Sequence, residues 1–145
     1  MASYAKPIAD SFVATILGLS GAPALVKHRK ENTLMGRETP PGVIVSIGDE
    51  RRVGRTFEGT ILKEYEFIVG IYRTNLADVS TNLDLNPEFI LKVKQALDVG
   101  TVSAVPVVWD VDLVDSPEWE RQPFGQGWEV SRFGLLVKTA EPRNG

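Results

Sequence analysis

The chain has 145 residues, 43% hydrophobic and 24% charged, which suits one domain with a real core. Its formal charge of -3 argues against a general nucleic-acid coat or a basic membrane-surface protein. It holds no cysteine, which excludes disulfides, thiolate metal sites and cysteine nucleophiles, and it has no apolar run long enough to span a bilayer.

Residues 1–24 contain a short apolar run followed by small residues, faintly like a secretory leader. Asp10 interrupts that run and only Lys6 supplies positive charge, so a helix is the better reading. Pro7 suits a first helical turn, where its missing N–H costs nothing. Ile8, Phe12, Ile16 and Leu19 recur at helical spacing, Val13 and Leu17 widen the stripe, and Gly18, Ser20, Gly21 and Pro23 end it near Leu19. The expected role is core packing.

Residues 24–30 fit a short strand or irregular chain equally well. Residues 31–42 read as a loop, since Pro40 pushes Thr39 away from helix. Val43, Val45 and Ile47 then alternate along a strand over 43–48, followed by a polar, charged loop over 49–59. The strongest strand signal is TILKEYEFIVGIYR, residues 60–73. Ile61, Tyr65, Phe67, Val69 and Ile71 share one face with Lys63 as a polar exception, while Leu62, Glu64, Glu66, Ile68, Gly70 and Tyr72 share the other.

After a polar connector, Asn86-Pro87-Glu88 predicts a helix start, with Asn as cap, Pro at the first position and an acid in the first turn. Phe89, Ile90, Val93, Ala96 and Leu97 form its apolar stripe and Gly100 its stop. A third strand is expected over 101–114, with Val105, Val107, Trp109, Val111 and Leu113 on one face, Asp110 and Asp112 on the other, and Pro106 marking an edge or bulge. A loop over 115–127 leads to a fourth strand over 128–139, and residues 140–145 read as a tail. The order is helix, two strands, helix, two strands, and each strand pair can close as a hairpin. The expectation is a single α+β domain over 1–145: a mostly antiparallel four-stranded sheet with two helices packed on one face.

Catalytic signals are sparse. His28 is the only histidine; its basic neighbours Lys27, Arg29 and Lys30 disfavour a charged ring, and no local motif supplies an orienting carboxylate or a nucleophile. Asp110, Asp112 and Asp115 could be read as a hard-metal cluster, but carboxylates on the solvent face of an antiparallel strand are the plainer reading, and the same holds for Glu64 and Glu66. No phosphate-binding glycine loop and no nucleophile elbow is present. No metal or cofactor is therefore assigned. Two basic groups stand out, Lys27, Arg29, Lys30 and Arg37 in one, Arg51, Arg52 and Arg55 in the other. In a symmetric ring such loops would recur around an axis and become a substantial field. Trp119 and Phe124 sit in a proline-rich polar loop, where they either fold over the sheet or anchor a protein partner.

The N-terminal helix, the loop and strand RETPPGVIVSIGDE, the strand ILKEYEFIVGIYR, the helix NPEFILKVKQAL and the closing WEVSRFGLLVKT together resemble phage tail-terminator and tail-completion (head–tail joining) proteins, over residues 8–139. The resemblance implies an α+β fold and a non-enzymatic virion protein of the tail or neck, assembled in the host cytoplasm as a homo-oligomeric ring, typically a hexamer. Such a ring caps the tail tube and joins it to the head connector, so the implied partners are the chain itself, tube and sheath proteins, and head-side adaptors, with DNA passing through the lumen unread. Arg29, Lys30, Arg37, Arg51, Arg52, Arg55, Glu64 and Glu66 are then the expected subunit or lumen contacts, and Trp119 and Phe124 the expected docking loop. A head-side connector or stopper is the nearest alternative. A small enzyme or ligand-binding domain using His28 or the acidic face, and a nucleic-acid-binding protein using the basic loops, are the others.

Overall fold

The computed structural model describes residues 3–38, 41–55, 59–74, 87–98, 105–113, 120–121 and 128–142. The elements in chain order are α1 (Ala5–Leu17), β1 (Leu25–Arg29), β2 (Gly42–Arg55), β3 (Ile61–Thr74), α2 (Pro87–Asp98), β4 (Val108–Leu113), β5 (Glu120–Arg121) and β6 (Trp128–Glu141). The sheet runs β1-β2-β3-β6-β4, and short β5 also pairs with β6. The α+β class holds. The sheet is mostly antiparallel as expected, but it does not stop at four strands: residues 25–29 add one that lies parallel to β2, with Val26 opposite Val43 and His28 opposite Val45, and β5 adds a short one.

The long strand β3 lies at the centre, paired along its length with β2 and β6. Its alternation works as the sequence predicts: Ile61, Tyr65, Phe67, Val69 and Ile71 are all buried. With Val43 and Val45 of β2 and Phe133, Leu135 and Val137 of β6 they form one apolar face. Both helices contribute to the same cluster, α1 through Ile8, Ala9, Phe12 and Ile16 and α2 through Val93 and Leu97. Phe12 meets Phe67 edge-on, with ring centroids 5.3 Å apart. Each such fully buried side chain contributes on the order of 1.5–3 kcal/mol. The helix start that places α2 includes Asn86, which lies outside the described residues, as do the side chains of Phe89 and Ile90.

Three boundaries and one alternation differ from expectation. β6 runs to Glu141, because residues 140 and 141, expected to be tail, pair with Leu62 and Ile61 of β3. β2 continues through the charged stretch to Arg55, because bulges between Ile47 and Glu50 and between Arg52 and Gly54 let it stay paired to β3. The third strand starts at Val108; Val105 to Val107 form a turn closed by Val108 N–H donating to the Val105 carbonyl, as Pro106 has no N–H to offer a ladder. A bulge between Val108 and Asp110 also breaks the predicted alternation. Val111 stays buried, whereas Trp109 is 61% exposed and does not join its face.

The parallel β1–β2 pair is made possible by the chain between them, which crosses the face that the helices leave open. Leu34 of this segment packs on Ile44, Tyr72 and Val130, with Leu25 alongside. A second, smaller core results, built from the alternate positions of β2, β3 and β6.

Candidate functional site

The helix-free face of the sheet carries the alternate residues of its strands, and it divides into a covered half and an open half. In the covered half Asn32 is the fastening. Its side-chain Nδ2 donates to the carbonyls of Ile44 (2.9 Å) and Ile68 (3.0 Å), one on β2 and one on β3. The Tyr72 hydroxyl lies 2.7 Å from the Asn32 carbonyl and 2.8 Å from its Oδ1. Arg132 of β6 donates to the same carbonyl at 3.2 Å and to the Tyr72 oxygen at 3.2 Å. Burial pushes the Tyr72 phenol above its ordinary value, against the opposing pull of the Arg132 cation. Gly70 lies directly beneath, and a Cβ there would collide with the Asn32 side chain.

The open half is a depression of about 280 Å³ lined by Arg51, Glu66, Phe67, Ile68, Gly134, Leu135 and Leu136. Ile68 is 42% exposed there. Gly134 presents backbone where its neighbours Arg132 and Leu136 present side chains. The result is an apolar floor rimmed by one cation and one carboxylate.

The expected contact residues fall into three groups. Arg29 is occupied internally: it forms a two-pronged pair with Glu38 (2.7 and 2.5 Å), and both side chains are about 15% exposed, at 16% and 15%. Lys27 reaches the same carboxylate at 3.4 Å, and the Arg29 guanidinium holds the Glu38 carboxyl down at about 2. Arg51 pairs across strands with Glu64 at 2.8 Å, although its own side chain remains 61% exposed. Lys30, Arg37, Arg52 and Glu66 are exposed. Arg55 ends β2 with its side chain outside the described residues, and Trp119 and Phe124 lie outside them altogether.

His28 does find a carboxylate, from a different element: its Nε2 lies 2.7 Å from Asp10 Oδ1 of α1. Asp10 is bonded also to Lys6 at 2.9 Å, and these two contacts, Lys6 first, hold its carboxyl below the ordinary value. The residue that breaks the apolar run of the first helix is therefore a surface ion-pair partner. A dyad alone is not a catalytic device, since it needs a nucleophile and an oxyanion site. On the far edge Asp110 and Asp112 share Lys138, at 3.5 and 3.1 Å, and this ammonium also lies 5.7 Å from the Trp109 ring centre. Among the described residues no three His, Cys, Asp or Glu side chains are grouped to hold a metal ion.

One polar cluster lies under the helices and was not legible residue by residue. Glu141, 4% exposed, accepts from the Tyr65 hydroxyl and the Thr139 hydroxyl, both at 2.6 Å. Lys63 bridges Glu141 (3.4 Å) and Glu50 (3.1 Å), and Ser3 closes the chain by donating to Glu50 at 2.7 Å. Burial, reinforced by the Glu141 contact, pushes the Tyr65 phenol far above its ordinary value. Lys63 is raised as well, because its two carboxylates outweigh the opposing effect of burial. The one signal in the sequence was Lys63 itself, the polar exception on an apolar strand face. The cluster joins the N-terminal segment, β2, β3 and the end of β6, which is a structural duty.

No protein-family model matches the chain, and comparison with curated proteins finds no match.

Proposed function

We propose that the chain is a structural virion protein that forms a homo-oligomeric ring, capping the phage tail tube and joining it to the head connector. The carrying observation is the asymmetry of the sheet. Two helices cover one face, while the other keeps an apolar depression in which Ile68 is exposed and Arg51 and Glu66 join the lining. A sheet that, among the described residues, leaves half of one face uncovered, mixed apolar and charged, suits a surface that packs against other protein chains. The element order α1, β2, β3, α2, β4, β6 supports the same reading through its resemblance to tail-terminator proteins.

The competing readings draw less support. A nucleic-acid reader needs available cations, and Arg29, Lys27 and Arg51 are engaged by Glu38 and Glu64. An enzyme needs a reacting centre, and the partners of His28 and Asp10 among the described residues, each other and Lys6, form a surface ion-pair group. Negative-stain electron microscopy of the purified chain, alone and mixed with tail tubes, tests the proposal. Rings, or caps at tube ends, are the expected result; a chain that stays monomeric at high concentration and ignores tube ends would refute it.

A further inference from the structure

The two edges of the sheet carry opposite charge. On the β1 side, residues 27–38 hold four cations, Lys27, Arg29, Lys30 and Arg37, against two carboxylates, Glu31 and Glu38. Glu38 is consumed by Arg29 and Lys27 and accepts the Met35 N–H at 2.9 Å, which fixes the segment above β1. Lys30 and Arg37 are left exposed, and Met35 is 43% exposed between them. The opposite edge, β4, holds Asp110 and Asp112, which share the single cation Lys138 of β6 and so keep one net negative charge, with Trp109 61% exposed beside them. Four strand-to-strand steps separate the two edges, roughly 19 Å at about 4.8 Å per step.

We propose that these patches bind each other between copies of the chain: Trp109, Asp110 and Asp112 of one copy against Lys30, Met35 and Arg37 of the next. The inference rests on the ring reading above and names its contact. Opposite charges supply orientation, and the exposed indole provides an anchor that both an arginine and a thioether favour. Because the patches differ and lie on opposite edges, the contact is head-to-tail. Head-to-tail contacts propagate into rings or filaments and cannot close as a two-fold dimer.

A charge-swap experiment tests it by sedimentation velocity. The chain carrying Asp110→Lys and Asp112→Lys, and separately the chain carrying Lys30→Glu and Arg37→Glu, should each self-associate on the order of a hundredfold more weakly than wild type. An equimolar mixture of the two should recover assembly, because each then offers the edge the other lacks. Recovery on mixing also demonstrates that both variants are folded. Trp109→Ala, a substitution at an exposed position, should weaken assembly by roughly tenfold or more with its melting curve unchanged. A wild-type assembly that neither reversal weakens overturns this contact and leaves the ring reading standing. Loss in both variants without recovery on mixing also overturns it. A wild-type chain monomeric throughout overturns both.

Discussion

At the residue scale the polar side chains inside the protein are placed where their partners come from other elements. Tyr65 donates to Glu141 across seventy-six positions of sequence. Removing that hydroxyl leaves a 4% exposed carboxylate with one donor fewer, so Tyr65→Phe should cost about 1–3 kcal/mol by urea unfolding at pH 7. The pH dependence has a definite sign. The folded-state phenol is raised above 10.0, so its contribution is complete below that value and declines as pH climbs past it, where the unfolded chain ionises first. The gap between wild type and Tyr65→Phe should therefore narrow above pH 10. Glu38 runs the other way. Its folded value is about 2 against 4.5 in the unfolded chain, so its contribution is complete above pH 4.5 and is lost as pH falls toward 2. Glu38→Gln should destabilise at pH 7 by about 1–3 kcal/mol and approach wild type in acid, as followed by melting temperature.

At the element scale the crossing segment between β1 and β2 is the feature on which the sheet's parallel edge depends. A parallel pair needs a connection that travels back along a face, and here Asn32, Leu34 and Glu38 hold that connection down. Gly70→Ala should cost about 1–3 kcal/mol, because the new methyl meets the Asn32 side chain over the middle of β3. Asn32→Ala alone should also destabilise, since Tyr72 and Arg132 lose a side-chain acceptor. The double variant should lose less than the sum of the two, because removing Asn32 makes room for the methyl. Chemical denaturation of the four-member cycle measures this, and strict additivity would show that the two side chains do not compete for space.

At the scale of the whole molecule the decisive property is that the sheet has one covered face, one half-open face and two edges of opposite sign. Surface charge of this kind is screened by salt, with a Debye length of about 3 Å at 1 M. Self-association should therefore weaken as sodium chloride rises, and assembly that strengthens with salt would point to the apolar depression around Ile68 as the main contact. The same charge accounting predicts weak interaction with DNA. With Arg29 and Arg51 already paired, affinity at physiological salt should be no tighter than the nonspecific range of roughly 10⁻⁴–10⁻⁶ M, as read by fluorescence anisotropy.

The sequence by itself determined the elements whose faces are written in local period. The alternation through β3 and the helical stripes of α1 and α2 needed only the geometry of a strand and a helix, so most of the buried face could be named from them, although Leu17, counted in the α1 stripe, is 48% exposed. Lys63 and Asp10 stood out as exceptions to those patterns, and both turned out to hold partners. What only the tertiary structure decided is everything that depends on which distant segments meet. The parallel seating of β1, the extension of β2 past its bulges, the turning out of Trp109 and the gathering of Tyr65, Glu141, Lys63 and Glu50 all follow from pairings across long stretches of chain. Local pattern carries no information about such pairings, because a strand's alternation is the same whichever neighbour it finds. Charges that read as two basic loops became, once Glu38 and Glu64 were in place, a smaller set of exposed cations on one edge of a sheet.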